Sequence, residues 1–226
     1  GDGTLRLFIG SHDNYLYCLD GSDGKLLWRH ETTNYIMATP SVVNSGGQQA
    51  VTFGGCDGIF HIVPASGEGS PAEIEIGAYI ANSSCVKDGI AYVANNGGDI
   101  LAIDVASRET VWKIETDAEY TASPAVNEKH LFIASPHKTL TAYDRVNGQA
   151  VWEFMGRRSF DSSPVVSQST VWQAGLDGRL YAIDPLSGEE RWSYEIGAKI
   201  KSSPAISSGT LVICGDDGVM YALKGE

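Results

Sequence analysis

One set of residues recurs along the chain at a nearly constant interval, and this repeat constrains the fold more than any other feature. Each repeat carries an aspartate, a tryptophan eight residues later and a proline twelve residues after that. The four sets are Asp20, Trp28 and Pro40; Asp104, Trp112 and Pro124; Asp144, Trp152 and Pro164; and Asp184, Trp192 and Pro204. The last three sets are spaced by 40 residues, and the first precedes the second by 84, so a degenerate repeat of 44 residues lies between them. Self-similarity at this period is typical of repeat architectures, in which each repeat packs against its neighbours.

Six pairs of short apolar segments can be aligned within these repeats. Their residues are mainly β-branched and aromatic, as in YLYCLD (15–20) and RLYAID (179–184), and polar or Gly-bearing tips such as GLDG (175–178) separate the members of a pair. These features predict six β-hairpins. No window shows a helical period of apolar residues, and this predicts an all-β chain.

The second segment of each pair is apolar on both faces. Leu180 and Ala182 lie on one face of such a strand, and Tyr181 and Ile183 lie on the other, so both faces must be covered. Small sheets stacked face to face meet this requirement. We therefore predict a β-propeller of about six blades, whose terminal blades are incomplete or are completed by pairing of the chain ends. It forms a single domain over 1–226, with blade units at roughly 1–36, 37–80, 81–120, 121–160, 161–200 and 201–226.

The repeated markers are interpreted as structural residues. A tryptophan that recurs once per repeat is expected to be largely buried between repeats, with its indole N–H bonded to a backbone acceptor. The aspartates are expected to form turns. The structural set is Trp28, Trp112, Trp152, Trp192, Asp20, Asp104, Asp144 and Asp184. Small hydroxyl residues precede the proline positions, where only small side chains are expected to fit, a water-filled channel being the alternative; they are Thr39, Ser83, Ser123, Ser163 and Ser203.

Charge and composition narrow the classes of partner. Nucleic acids and anionic membranes attract cationic surfaces, so a formal net charge of −12 predicts no nucleic-acid partner. No apolar run approaches the length of about 20 residues that spans a bilayer, so no membrane insertion is expected. The four cysteines are scattered, which predicts free thiols. These features fit a soluble protein, either cytoplasmic or, after removal of a signal peptide, periplasmic or secreted.

The sequence contains no motif for catalysis or metal binding. Its five histidines are dispersed, with no H-E-x-x-H and no close pair. The spacing of an EF-hand calcium loop, the G-x-S-x-G motif and a Gly-rich phosphate loop are absent as well. We therefore expect no catalytic residues, no metal site and no cofactor, although an active site assembled from distant loops would leave no such motif.

The connectors between successive hairpins are the expected place for a binding site, because loops on a rigid scaffold carry most binding residues. Arg157, Arg158, Lys199 and Lys201 concentrate on two neighbouring connectors, with Asp161 among them. Arginine side chains suit carboxylate and phosphate groups, so this sector is predicted to bind a small anionic ligand or a protein partner with an acidic segment. The alternative is a solvated rim whose charges pair with neighbouring acids. The aligned connectors also place four aromatic residues near the rim, namely Tyr35, Tyr79, Tyr120 and Phe160.

The repeated pattern Y-A-[I/L]-D-x-x-[S/T]-G-x-x-x-W resembles the repeat of the pyrroloquinoline-quinone-type (PQQ-like) propellers. It is carried by 181–184 with Gly188 and Trp192, and by the equivalent residues Asp144, Gly148, Trp152, Asp20, Gly24 and Trp28. The third repeat has Arg108 in place of the glycine. The resemblance covers essentially the whole chain and implies a β-propeller. This repeat occurs in quinoprotein dehydrogenases, in the outer-membrane assembly lipoprotein that scaffolds its barrel partner, and in sensor domains.

The resemblance also bears on the cofactor. Quinoprotein dehydrogenases of this kind typically have eight blades and hold the quinone between a tryptophan and a disulfide of adjacent cysteines, beside a calcium ion. The present chain has six hairpins and no adjacent cysteines, so no quinone is expected. We therefore predict a non-enzymatic scaffold or recognition module for a protein or a small anionic ligand. The alternatives are a quinone-dependent dehydrogenase, or a fragment of one, and a small-molecule sensor domain.

Overall fold

The structure is a computed structural model that describes residues 5–45, 47–167 and 169–224. Within these ranges it contains 22 β-strands and no helix, which confirms the all-β prediction. The strands form six small antiparallel sheets. The chain divides into two compact units, Gly1–Asp117 and Ala118–Glu226, each with three of the sheets. The placement of one domain over the whole chain stays a prediction.

The first unit contains a three-stranded sheet followed by two four-stranded sheets, and consecutive strands pair in each. The first sheet consists of β1 (Arg6–Gly10), β2 (Tyr15–Asp20) and β3 (Leu26–Glu31). The second consists of β4 (Ser41–Ser45), β5 (Gln48–Gly54), β6 (Ile59–Pro64) and β7 (Ala72–Glu75). The third consists of β8 (Cys85–Lys87), β9 (Ile90–Ala94), β10 (Asp99–Asp104) and β11 (Glu109–Glu115).

The second unit contains two four-stranded sheets followed by a three-stranded sheet. The fourth sheet consists of β12 (Ala125–Val126), β13 (His130–Ala134), β14 (Thr139–Asp144) and β15 (Ala150–Met155). The fifth consists of β16 (Val165–Val166), β17 (Val171–Ala174), β18 (Arg179–Ile183) and β19 (Glu190–Glu195). The sixth consists of β20 (Ala205–Ser207), β21 (Thr210–Cys214) and β22 (Met220–Lys224).

The six predicted hairpins are confirmed, and within each unit the middle sheet packs on its two neighbours through both of its faces. In the second unit, Phe132 and Ala142 of the fourth sheet form one buried cluster with Val171 and Tyr181 of the fifth. Leu180 lies on the opposite face of β18 and packs in a different cluster with residues of the sixth sheet. This two-sided burial explains why the strands carry apolar residues at successive positions rather than at alternate ones.

The repeated aspartates close the turn that follows the second strand of a hairpin. One carboxylate oxygen of Asp144 accepts the N–H groups of Val146 and Asn147, at 2.8 and 3.1 Å. Asp104 and Asp184 make the same pair of bonds. The fourth residue after the aspartate has a positive φ, which is 75° at Gly24, Gly148 and Gly188 and 65° at Arg108. Arg108 therefore adopts a backbone conformation that suits glycine better.

A second aspartate stands at several hairpin tips and bonds to the residue four positions later. The pairs are Asp13 with Tyr17, Asp57 with His61, Asp177 with Tyr181, and Asp217 with Tyr221. In each case the other carboxylate oxygen accepts the N–H of the residue two positions later. The tyrosine hydrogen bond is the largest cause that lowers the pKa of Asp13 and of Asp217.

The repeated tryptophans occupy equivalent positions in the sheets, each opposite a small residue of the preceding strand. The pairs are Trp28 with Cys18, Trp112 with Ala102, Trp152 with Ala142, and Trp192 with Ala182. Their burial is lower than expected, because the first three are half-buried and Trp192 is 44% exposed.

Trp152 connects its own repeat to the next one along the chain. Its indole Nε1 donates a hydrogen bond of 3.2 Å to the carbonyl oxygen of Pro185. A Cβ atom added at Gly188 would lie 2.6 Å from the indole ring, so the turn approaches the ring more closely than an alanine would permit. Within the described ranges no turn of a later repeat covers Trp192. Its exposed face instead lines a pocket of about 400 Å³ with Trp172 and Leu223.

Small hydroxyl residues make a second type of bond between repeats. The N–H of Thr39 donates to Ser83 Oγ at 2.8 Å, and the N–H groups of Ser123 and Ser163 donate to the hydroxyls of Ser163 and Ser203, both at 2.9 Å. Each acceptor belongs to the repeat after that of its donor. This position therefore favours a small side chain that also offers a hydroxyl oxygen as a hydrogen-bond acceptor.

We expect Trp152→Ala to lower the free energy of unfolding by about 2–4 kcal/mol, because it opens a cavity beneath the Gly188 turn and removes the bond to Pro185. Trp192→Ala makes the same change at the same register position without a covering turn. The Trp192→Ala variant should lose roughly 1 kcal/mol of unfolding free energy, because the Trp192 side chain is less buried than that of Trp152. Urea unfolding of the two variants measures the difference, and equal losses would contradict the role assigned to Trp152.

We expect Arg108→Gly to stabilise the chain by about 0.5–1 kcal/mol, because a side chain at positive φ costs about 1–2 kcal/mol and the freer unfolded glycine offsets about 0.4–1 kcal/mol of this gain. Gly24→Ala makes the opposite change at the equivalent position, where no atom lies within 4 Å of an added Cβ. It should destabilise by about 1 kcal/mol through the backbone alone. Thermal unfolding tests both, and a loss of stability in Arg108→Gly would count against this account.

Stability should fall as the pH drops below about 4. Hydrogen bonds in the folded chain lower the pKa of Asp13, Asp20, Asp184 and Asp217. A carboxylate with a lowered folded pKa adds stability above its unfolded pKa and loses it as the pH falls through the folded value. Urea midpoints at pH 6 and pH 3 measure the change. Tyr221→Phe removes the hydrogen bond that contributes most to the lowered pKa of Asp217. The variant should therefore lose less stability between pH 6 and pH 3 than the unaltered chain. An identical loss in the two proteins would contradict this role of the hydrogen bond.

Candidate functional site

Backbone hydrogen bonds hold the connectors after β3, β7, β15 and β19 between two hairpin tips. In the connector after β15, the N–H of Phe160 donates to Ser135 O at the tip of the fourth sheet, at 3.4 Å. The carbonyl oxygen of the preceding residue, Ser159, accepts the N–H of Leu176 at the tip of the fifth sheet, at 3.1 Å. The connector after β3 follows the same scheme, through Ile36 and Tyr35. A connector is therefore a defined surface and not a loose loop.

One residue of each connector is buried. It stands four positions before the proline, or before Ser84 in the second repeat, and its exposure lies between 0% and 4% in the five connectors, at Ile36, Ile80, Tyr120, Phe160 and Ile200. The fit is tight, since a Cβ added at Gly156 would lie 2.4 Å from the Phe160 ring. Tyr120 and Phe160 therefore differ from the expectation of a rim position, because they occupy the anchoring position and cannot be reached by a partner.

The two remaining aromatic candidates are exposed, and both belong to the first unit. Tyr35 is 50% exposed, and its ring stacks on His12 of a hairpin tip with 5.3 Å between ring centroids. Tyr79 is 46% exposed, and its hydroxyl accepts a hydrogen bond of 2.6 Å from Asn96 Nδ2. Tyr35 is thus held in one orientation by a tip residue of the preceding sheet, and Tyr79 by a tip residue of the next sheet.

The four basic candidates are all exposed on connectors of the second unit. Lys201 Nζ lies 3.1 Å from Asp216 Oδ2, and both side chains of this pair remain largely in solvent. In the part of the chain that the structure describes, Arg157, Arg158 and Lys199 form no ion pair with an acidic side chain. Asp161 is exposed as well. Three cations of an acidic chain are therefore open to a ligand.

The two basic connectors lie on either side of one hairpin tip. Ser159 O accepts the N–H of Leu176, and the N–H of Ile200 donates to Gly175 O at 3.2 Å. Both bonds end on the tip at 175–178. We call Arg157, Arg158, Lys199 and Lys201 the basic connector surface. The acid at this tip, Asp177, is already occupied by the hydroxyl of Tyr181 and the backbone N–H of Arg179.

The structure also brings together a group that the sequence spacing left apart. His30 of β3 and His61 of β6 have ring centroids 5.7 Å apart, and Glu73 of β7 stands directly opposite His61 in the sheet. One potential ligand atom from each lies within 4.8 Å of the others. Burial, followed by the proximity of His61, lowers the pKa of His30 and favours the neutral imidazole. The sequence separations of 31 and 12 residues form no metal-binding motif, so the sequence spacing gave no indication of this group.

Comparison with protein families places this fold among known proteins. The family described as outer membrane protein assembly factor BamB matches residues 71–159 and, in a second alignment, residues 137–226. The two matches together cover more than half of the chain. The chain belongs to this family. It is a PQQ-like β-propeller of about six blades, as the sequence predicted. A second family, the lambda-carrageenase β-propeller domain, matches residues 1–95 of this PQQ-like propeller.

Two individual proteins are similar to this chain to different extents. BamB from Moraxella catarrhalis has a structure that matches 97% of this chain and 70% of its own, with a TM-score of 0.78 at 18% sequence identity. At that identity the likeness is one of fold. The beta-alanine-activating enzyme of Danio rerio is 48% identical over 33 residues, which are 15% of this chain and 3% of that enzyme. Within the described residues of this PQQ-like propeller, no helix has the length and apolar character to cross a membrane.

Proposed function

We propose that this PQQ-like propeller is a non-enzymatic scaffold or recognition module that binds an acidic segment of a protein partner at the basic connector surface. The observation that carries the proposal is the exposure of Arg157, Arg158 and Lys199 without ion pairs, beside one hairpin tip of a chain whose net charge is −12. Elsewhere, exposed cations such as Lys25, Lys113 and Arg191 are neutralised by nearby carboxylates.

The charge distribution supports an acidic ligand of limited size. The net negative charge repels extended polyanions at long range, while a local group of cations attracts a short acidic segment within a Debye length of about 8–10 Å. The planar guanidinium groups of Arg157 and Arg158 can each bind a carboxylate through two hydrogen bonds. Because one exposed ion pair contributes only about 0–1 kcal/mol, several must act together for useful affinity.

The rigidity of the connectors supports a recognition role further. The backbone bonds at Ser159 and Ile200 fix the main chain from which the cations project, so little backbone freedom is lost on binding. Asp161 offers an acceptor for a donor group of the partner. The exposed rings of Tyr35 and Tyr79 form separate contact points in the first unit, of the amphipathic type that is common in protein interfaces. The description of the family as an assembly factor also favours a protein as the partner.

Charge reversal tests this function. Arg157→Glu combined with Lys199→Glu should weaken binding of a labelled poly-glutamate peptide by more than about tenfold, since two attractive pairs become repulsive. A matched control is Lys25→Glu combined with Lys129→Glu, which changes the net charge equally at exposed positions outside the basic connector surface and should leave affinity nearly unchanged. Fluorescence anisotropy at low salt, repeated at high salt, measures both. Equal affinities of the two double variants would refute the proposal.

A competition experiment distinguishes the acidic peptide from a small anionic ligand. Inorganic phosphate and citrate are titrated against the bound peptide. If the surface recognises an extended segment, each small anion should displace the peptide only at concentrations that screen charge generally, as matched amounts of sodium chloride do. Displacement by phosphate at much lower ionic strength would instead identify a small-anion site and overturn the choice of a peptide.

A further inference from the structure

We propose that His30, His61 and Glu73 form a binding site for a divalent cation of the zinc type between the first and second sheets, with Asp57 supporting His61. His30 comes from β3, His61 from β6 and Glu73 from β7, so the site draws on two sheets of the first unit. It is separate from the basic connector surface, which belongs to the second unit.

The first line of evidence is the place of His61 in the repeat. Tyr17, Tyr181 and Tyr221 stand at the equivalent position, and each uses its single hydroxyl to bond the aspartate of its own tip. His61 makes the same bond through Nε2, at 3.0 Å from Asp57 Oδ2. The imidazole then has a second nitrogen that the repeat does not need. That atom, Nδ1, is buried without a hydrogen-bond partner, and the His61 side chain is only 1% exposed.

His30 occupies a strand position at which the other repeats carry no histidine. Register with the preceding strand aligns it with four apolar or aromatic residues of the other repeats, Ile74, Ile114, Phe154 and Tyr194. In the second unit the corresponding contact between sheets is an edge-on packing of Phe154 against Tyr181, with 5.2 Å between centroids. His30 and His61 meet in the same edge-on manner. The packing contact can therefore be made by rings without nitrogen atoms. His30 nevertheless places its Nε2 in this contact, where the atom is buried without a hydrogen-bond partner.

The third ligand and the charge balance complete the site. Glu73 is directly opposite His61 across β6 and β7, and its carboxylate is exposed and able to turn. Zinc bonds of about 2.0–2.1 Å in a tetrahedron place ligand atoms roughly 3.4 Å apart. The present upper limit of 4.8 Å exceeds that separation by about 1.4 Å, and rotation of the exposed Glu73 side chain can shorten its distances to the two imidazoles. The carboxylates of Glu73 and Asp57 together balance the charge of a dication.

Asp57 acts as a positioning residue for the metal ligand. Its Oδ2 accepts the Nε2 proton of His61, which leaves the lone pair of Nδ1 free to face the ion. A carboxylate behind a ligating histidine fixes the tautomer and makes the imidazole a better donor. Two histidines and one glutamate form a known zinc ligand set that leaves a fourth position for water. Nitrogen ligands favour zinc, cobalt, nickel and copper over magnesium and calcium.

A bound ion would join β3 of the first sheet to β6 and β7 of the second. A ligand that binds only the folded chain stabilises it by mass action, by about 2.7 kcal/mol when its concentration is 100 times the dissociation constant. The site should therefore be detectable both as binding and as a rise in the melting temperature.

The test uses the chain without a histidine tag, stripped of metal by a chelator. Isothermal titration with ZnCl2 should show one ion bound per chain, and the melting temperature should rise with Zn²⁺ but not with Mg²⁺. Co²⁺ should give the intense visible absorption of a tetrahedral site. Absence of zinc binding up to millimolar concentration, or an equal response to Mg²⁺, would overturn the proposal.

The repeat supplies variants that preserve packing. His61→Tyr restores the tyrosine found in other repeats and keeps the bond to Asp57, and His30→Phe restores an aromatic residue like Phe154. Both should fold normally and bind zinc more than about 100-fold more weakly. Glu73→Gln, at an exposed position, should lose at least about tenfold, and Asp57→Asn about 10–100-fold. Zinc binding that survives in His61→Tyr and His30→Phe would refute the site.

Two controls exclude other zinc ligands. Cys214→Ser removes the exposed thiol, and His137→Ala removes an exposed histidine of the second unit. Both should bind zinc as tightly as the unaltered chain. A large loss of affinity in either would place the ion elsewhere and contradict the assignment to His30, His61 and Glu73.

Discussion

The indole of Trp152 reaches the backbone of Pro185, one repeat further along the chain, and the absence of a side chain at Gly188 permits the approach. This contact shows the condition on which the rest of the structure depends. A sheet of three or four short strands cannot cover its own two apolar faces, so each repeat is completed by the next. The hydroxyl acceptors and the connector bonds serve the same end. Stability is therefore a property of the joints between sheets more than of any single sheet.

Much of the fold could be predicted from the sequence, because the repeated residues act on the chain near them. Asp184 bonds to N–H groups two and three residues later, and Gly188 supplies a positive φ four residues later. Such short-range requirements appear in every repeat at a constant spacing. The two-sided apolar pattern of the strands also predicts stacked sheets, since a half-exposed sheet would alternate apolar and polar residues.

The site was harder to predict, because its geometry is set by contacts between sheets. Phe160 belongs to the anchoring position, and only alignment at four residues before the proline reveals that Ile36 and Ile200 share it. The alignment of the connectors placed all four aromatic residues near the rim, although Tyr35 and Tyr79 stand one position earlier than Tyr120 and Phe160. The contact between His30 and His61 is harder still to predict, because the packing of one sheet on another brings them together and their separation in the sequence does not. Their departure from the residues of other repeats was the available signal, and it required the strand register to be interpreted.

Ser163 accepts the N–H of Ser123 and donates its own N–H to Ser203. Ser163 thus takes part in two contacts between repeats, because its hydroxyl accepts from the preceding repeat and its N–H donates to the following one. Thr39 donates its N–H to the Ser83 hydroxyl in the same way, at the equivalent positions of two earlier repeats. Insertion or deletion of a whole 40-residue repeat would preserve the pairing of N–H donor and hydroxyl acceptor between neighbouring repeats. Insertion or deletion of part of a repeat would leave an N–H group without its acceptor. A change in copy number by whole repeats would therefore keep this hydrogen bond at each new joint, because every backbone donor would again meet a hydroxyl.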